Sequence, residues 1–444
     1  RATINTFIER RCIVSKQKYL SLERNYNDVI KQAVEECILC GECLSKCLTY
    51  PLSPLKNKAP EDMMEEMIAF LKDGVFTDDV YLRAFGCAGC GDCSDSCPQE
   101  IDPLLLHEAL KMELLRQGKE PPEVMNFVIP GQRMNLYEIL SSIQMKPSEA
   151  RWLKKIPENP QQTENLVFLG CSPIALPDKV FHFLDILERV GVDFVTLAGG
   201  ELCCGTSFCP AAGKVNESEE MARDLIDNIQ AFSPERVILF CNGCYRQFTE
   251  FFPTFLEMDF EVQHYTQFFL DNLEKLTFTE PLDKTVFLYE SCMTRRTKLS
   301  DPSKALLETI PGVELVDPEL GKEQTLCCGG LANMTNPPLG QQVGKILIDS
   351  ISKTKADYIA NTCSFCRLSF YPYEKQYSLD VKDIATLVDE AMGGKEYEDK
   401  MRTYWRCESI DEIIELSKEN FEANGYTEEE MRHVLPMLFP LAAS

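Results

Sequence analysis

The chain has 444 residues, 44% hydrophobic and 26% charged, enough for several packed domains of ordinary globular polarity. Its formal net charge of −25 would repel nucleic acid and anionic lipid, which excludes both as expected partners. No run approaches ~18 uninterrupted apolar residues and residues 1–30 hold no apolar signal core, so a cytoplasmic chain without a direct membrane span is expected. With 21 cysteines and no secretion signal, metal is a better reading than a disulfide scaffold.

Residues 1–36 are polar and read as a helical arm. Two cysteine knots follow within a mainly helical domain expected at 37–118. A charged helix is predicted over Glu61–Asp73, and helical periodicity returns over Ile101–Gln117. Residues 119–164 carry prolines and mixed polarity and read as a linker. From Asn165 short apolar runs alternate with amphipathic helices. Strands are predicted at Leu166–Leu169, Asp193–Leu197 and Arg236–Phe240, with helices at Asp178–Val190 and Glu217–Ala231. The pattern then recurs, with strands at Thr285–Tyr289, Val313–Val316 and Tyr358–Ala360 and helices at Ser303–Ile310 and Leu339–Ser352. Such alternation predicts an α/β region of βαβ units with parallel sheets, in two tandem repeats over 165–275 and 276–394. Residues 395–444 read as a helical, cysteine-poor tail suited to docking a partner.

The first knot is Cys37-x-x-Cys40-x-x-Cys43-x-x-x-Cys47, and Cys87-x-x-Cys90-x-x-Cys93-x-x-x-Cys97-Pro98 repeats it. This is the ligand spacing of a bacterial two-cluster ferredoxin, in which the fourth cysteine of each run serves the other cluster. Cys37, Cys40, Cys43 and Cys97 are therefore expected to hold one cubane [4Fe–4S] cluster, and Cys87, Cys90, Cys93 and Cys47 the other. Leu48 stands where proline usually follows the first knot. Zinc is the alternative, but zinc sites pair two CxxC units rather than running three cysteines with an offset fourth. No CxxCH occurs, which excludes c-type haem attachment.

The repeats carry their own cysteines. Cys171, Cys203-Cys204-Gly205 and Cys241-x-x-Cys244 recur about 120 residues later as Cys292, Cys327-Cys328-Gly329 and Cys363-x-x-Cys366, one unit used twice. Ligands gather at the carboxyl ends of strands in open α/β sheets, and these cysteines follow predicted strands. Gly205 and Gly329 would let the backbone turn tightly against a bulky ligand. Five soft thiolates at one point exceed a closed tetrahedral zinc site.

On these motifs the repeats resemble the tandem CCG domains of heterodisulfide reductase, and the knots resemble that enzyme's ferredoxin-type two-cluster component. The order in one chain is similar to the fused catalytic subunit of some methanogens. Similar fusions serve glycolate, glycerol-3-phosphate and lactate oxidoreductases and the benzoyl-CoA reductase complex. The resemblance covers Glu35 to Gly394. It implies one non-cubane [4Fe–4S] cluster on Cys171, Cys203, Cys204, Cys241 and Cys244. A second falls on Cys292, Cys327, Cys328, Cys363 and Cys366, and both are active-site clusters if the chain cleaves a disulfide. It also implies redox partner subunits, a flavoprotein above all, with any membrane attachment at the inner face arising through a partner. Cys12 and Cys407 are left as spectators, and Cys209, near Cys204, is weighed as a spare ligand or redox thiol against a buried spectator. Arg295 and Arg296 are weighed as cluster or substrate cations against a surface ion pair, and His264 as a proton shuttle against a helix-start hydrogen bond. No GxGxxG is present, so no dinucleotide site is expected on this chain.

Overall fold

The computed structural model describes residues 21–129, 132–205, 209–316 and 327–440. Cys12 and most of the N-terminal arm lie outside them.

The N-terminal domain is helical because its local signals agree. Ser21 caps the helix Leu22–Glu36 by accepting from Arg24 N–H. Pro60 sits in the first turn of Pro60–Asp73, which Gly74 ends at φ 71°. Thr77 caps Asp78–Phe85, and Asp102 caps Pro103–Arg116. Met63, Met67, Phe70, Val80, Leu110 and Leu114 from three of these helices form one buried cluster. The two knots hang from helix ends on this core.

Two four-stranded parallel sheets follow. In the first, β1 (Asn165–Gly170), β2 (Phe194–Ala198), β3 (Arg236–Leu239) and β4 (Glu261–His264) take the order β2-β1-β3-β4. In the second, β5 (Lys284–Leu288), β6 (Val313–Leu315), β7 (Tyr358–Asn361) and β8 (Val381–Asp383) take the order β6-β5-β7-β8. The shared order is the structural form of the cysteine repeat. The helices Pro177–Arg189, Val215–Gln230, Ser300–Glu308 and Pro337–Ile351 lie between strands, as their periodicity predicts. Sequence reading missed β4 and β8. Both are edge strands of three or four residues with polar positions, and neither shows an apolar run.

Two expectations change. The stretch expected as a linker contains the helix Leu136–Gln144, whose Tyr137, Ile139, Leu140 and Ile143 are buried in the main core. The helix is short, and flanking Pro and Gly residues obscure its apolar face. The expected partner-docking tail folds back on the same chain. Its helices Lys400–Tyr404, Ile410–Ala423 and Glu428–Leu438 bury Met401, Ile413, Phe421 and Leu435 in that core. The Tyr404 hydroxyl and the Asn420 amide both donate to the Ile143 carbonyl, at 2.6 and 3.0 Å. Linker and tail thus complete each other. Among the described residues no helix is long and apolar enough to cross a membrane.

Candidate functional site

The first knot begins where the helix Leu22–Glu36 ends, with Cys37 N–H bonded to the Ala33 carbonyl. Gly41 turns the loop at φ 69°, and a Cβ there would meet Pro60 Cβ at 2.7 Å. Only glycine fits that close approach. The loop and the second knot enclose a cavity lined by Cys37, Cys40, Cys43 and Cys97. Burial pushes the Cys43 thiol up to about 12, with the neighbouring Cys37, Cys97 and Cys40 adding to the rise. Cys97, from the second knot, thus lines the same cavity as the three cysteines of the first.

The other set gathers around a residue that sequence reading missed. Arg83, 2% exposed, donates from Nη2 to Cys47 Sγ at 3.3 Å and from Nη1 to Thr49 Oγ1 at 3.4 Å. Cys47, Cys87 and Cys93 supply the negative charge that holds its guanidinium charged. Burial alone would push the Cys47 thiol up, but Arg83 and the Thr49 hydroxyl bring it below the ordinary thiol range. His107, on the helix Pro103–Arg116, donates from Nδ1 to the Pro103 carbonyl at 2.6 Å and accepts Arg83 Nε–H at Nε2, at 2.9 Å. Burial and Arg83 keep this imidazole neutral. Lys111, one turn on, is also buried and feels the charge of Cys87. The available signal was an i, i+4 polar pair, His107 and Lys111, on an otherwise apolar helix face.

The repeat cysteines sit at the carboxyl ends of the strands. Cys171 follows β1, Cys203 and Cys204 follow β2, and Cys241 follows β3. Cys171 Sγ lies 3.1 Å from Cys203 Sγ, and Cys244 Sγ lies 3.7 Å from Cys204 Sγ. In the second repeat Cys292 pairs with Cys327 and Cys328 with Cys366, the same arrangement. Gly205 N–H points at Cys203 Sγ and Gly329 N–H at Cys327 Sγ, both at 3.4 Å. Both glycines turn the backbone at positive φ, 69° and 76°. A Cβ on Gly205 would strike Met221 Cβ at 2.9 Å, and one on Gly329 would strike the Gly340 carbonyl, so both permit close packing of a helix. The glycines that clear space beside sulfur are Gly170, where a Cβ would lie 2.9 Å from Cys244 Sγ, and Gly330, 3.2 Å from Cys328 Sγ. Each adjoins a motif cysteine or its glycine partner, a signal that was available.

Thiols alone, partly bonded by backbone N–H groups, form a donor set suited to iron–sulfur clusters. Among the described residues no group of His, Cys, Asp or Glu side chains has the geometry for a single metal ion.

Buried tyrosines mark both repeat sites. Tyr137 lies within the field of Cys171, Cys203 and Cys241, and Tyr289 within that of Cys366, Cys328 and Cys327. Tyr137 also meets Phe365, between Cys363 and Cys366, edge-on at 6.0 Å. Asn242, between Cys241 and Cys244, donates to Thr362 Oγ1 at 2.7 Å and Thr294 Oγ1 at 2.9 Å in the second repeat. The two sites therefore face each other.

Arg295 and Arg296 join the second repeat to the second knot. Arg295 pairs with Asp92 at 3.0 Å, while Arg296 donates to Ser94 Oγ at 3.2 Å and lies 3.7 Å from Asp102. They serve as a junction between domains. His264 caps the helix Tyr265–Asp271 by accepting Thr266 N–H, the plainer of its two readings. Cys407 is half-buried, and its thiol donates to the Thr403 carbonyl at 3.5 Å.

Residues 33–101 match the 4Fe-4S dicluster domain family, and residues 166–249 and 286–371 each match the cysteine-rich domain CCG. The chain carries a 4Fe-4S dicluster domain followed by two CCG domains. It is 27% identical over 410 residues to one subunit of the dihydromethanophenazine:CoB–CoM heterodisulfide reductase of Methanosarcina barkeri, covering 83% of this chain and 97% of that protein. It is 23% identical over 386 residues to one subunit of the fumarate reductase (CoM/CoB) of Methanothermobacter marburgensis, covering 83% and 74%. It is 21% identical over 424 residues to the EtfAB:quinone oxidoreductase of Syntrophomonas wolfei, covering 81% and 58%. The relatives named as subunits belong to multisubunit enzymes.

Proposed function

We propose that this CCG-domain protein is the electron-relay subunit of a heterodisulfide reductase-like complex. Two cubanes on the knots carry electrons to two non-cubane [4Fe–4S] clusters on the CCG repeats, with the ligand sets given above. The observation that carries this reading is the junction between knot and repeat. Cys327 packs in one apolar cluster with Ala88, against which Cys90 also packs, and Cys292 is close enough for its charge to act on Cys90. The order of transfer is first cubane, second cubane, second repeat, first repeat. A flavoprotein partner delivers or removes the electrons, and membrane association, where it occurs, comes through a partner.

Anaerobic co-purification with a flavin-containing partner, followed by reduction of the clusters through that partner, is the expected result. A stable, fully active enzyme consisting of this chain alone would contradict it.

A second reading is that the chain itself reduces a disulfide of the CoM-S-S-CoB type. It is favoured by two complete five-cysteine sets facing each other across Asn242. Such cleavage takes two electrons and two protons to give two thiols. Reduced viologen supplies the electrons in the assay, and absence of turnover with any disulfide at full iron loading would refute it.

A further inference from the structure

We propose that Arg83 is the fixed counter-cation of the second cubane and holds its reduction potential above that of the first. The inference rests on the two-cubane reading above and extends it to the direction of electron flow.

Arg83 is among the largest fully buried side chains, and a buried charge persists only with a partner. Among the described residues it makes no ion pair with a carboxylate. Its fork is instead divided among Cys47 Sγ, Thr49 Oγ1 and neutral His107. The anions acting on it are Cys47, Cys87 and Cys93, three of the four cysteines expected at the second cubane. The sulfurs are thus the counter-ion of the arginine. Lys111 is also buried and feels the charge of Cys87, although burial lowers its pKa.

Among the described residues no cysteine of the first set is hydrogen-bonded by Arg83; Arg83 acts on Cys43 through its charge alone, and Cys37 is raised by burial and by its neighbouring cysteines. Asp92 beside Cys90 opposes Arg83, but Arg295 pairs with it.

Adding an electron makes a cubane one charge more negative. A cation fixed in a medium of low dielectric favours that state more strongly than one in water. It therefore raises the potential of the cubane it touches. The second cubane, which adjoins the second CCG repeat, becomes the lower-energy position for an electron entering at the first. The fork also bonds the ligand that crosses over from the first knot, so charge and ligand exchange are coupled in one residue.

The test is an anaerobic redox titration of the full chain, followed by electron paramagnetic resonance, with iron counted per chain. Arg83→Gln is compared with Arg83→Lys and the unmodified chain. The expected result is that Arg83→Gln lowers one cubane midpoint. The interval between the two midpoints should narrow by at least tenfold in the electron-exchange constant, about 59 mV for one electron. Arg83→Lys, which retains the charge, should preserve most of the interval. Selective loss of one cubane in Arg83→Gln, with retention in Arg83→Lys, also supports the assignment. An interval unchanged within threefold, or loss of both cubanes in both variants, overturns it. An unmodified chain without two cubane signals would overturn this inference together with the reading beneath it.

Discussion

Replacing Asn242 by alanine removes the side chain that ties the two CCG sites together. Asn242 is 1% exposed and makes three short bonds: to Thr294 and Thr362, and from His264 Nε2–H to its own Oδ1 at 3.0 Å. Each neutral hydrogen bond contributes about 1 kcal/mol net, and a buried donor left unsatisfied costs about 1–3 kcal/mol. The two threonine hydroxyls accept from the amide and lose only a donor; indeed Thr294 already contacts Ser291 Oγ at 2.8 Å. The His264 N–H instead loses its acceptor, with Nδ1 engaged by Thr266 at 2.8 Å. The expected loss is about 3–5 kcal/mol. Urea denaturation of the anaerobic full chain, comparing midpoints at a common slope, measures it. A loss below about 1 kcal/mol, the range of an ordinary surface substitution, would refute the claim that this bond set joins the repeats.

Other outcomes follow from the same structure. Gly329→Ala should destabilise the chain by about 2–4 kcal/mol and reduce iron uptake, since positive φ and a backbone clash with Gly340 combine there; thermal melting with iron analysis measures both. Arg295→Ala should alter stability by less than about 1 kcal/mol, because the pair with Asp92 is partly exposed, yet slow electron transfer from the cubanes to the second repeat in stopped-flow reduction. Burial and Lys179 lower the His264 pKa to about 3, so its neutral form is favoured by folding. Its contribution is complete above the unfolded value of about 6.5 and is lost as pH falls from there toward 3, by up to about 1.4 kcal/mol per pH unit. Urea midpoints between pH 7 and 5 should show this slope, and His264→Gln should flatten it.

Much of the molecule was legible because its signals are local. The strand Leu166–Leu169 appears as a fully buried β1, since a central parallel strand reads as an unbroken apolar run. The knots were legible for a similar reason: three cysteines at fixed spacing fit within one short loop. What escaped depends on distant partners. Arg83 is one charged residue in an amphipathic helix, and nothing local says that Cys47, far earlier in the chain, accepts from it. Leu136–Gln144 read as linker because its apolar face is covered by a tail that begins more than a hundred residues later. Gly205 and Gly329 stand out beside their cysteine pairs, and the close approach of Met221 and Gly340, each on a helix, is a further demand for glycine that only the fold reveals.

The most direct test is a count of iron, acid-labile sulfide and zinc in the full chain isolated anaerobically. Two cubanes and two five-thiolate clusters require about sixteen irons per chain, with matching sulfide and no zinc. About eight irons accompanied by zinc would contradict clusters at the CCG sites, and zinc alone would contradict iron–sulfur chemistry at every site.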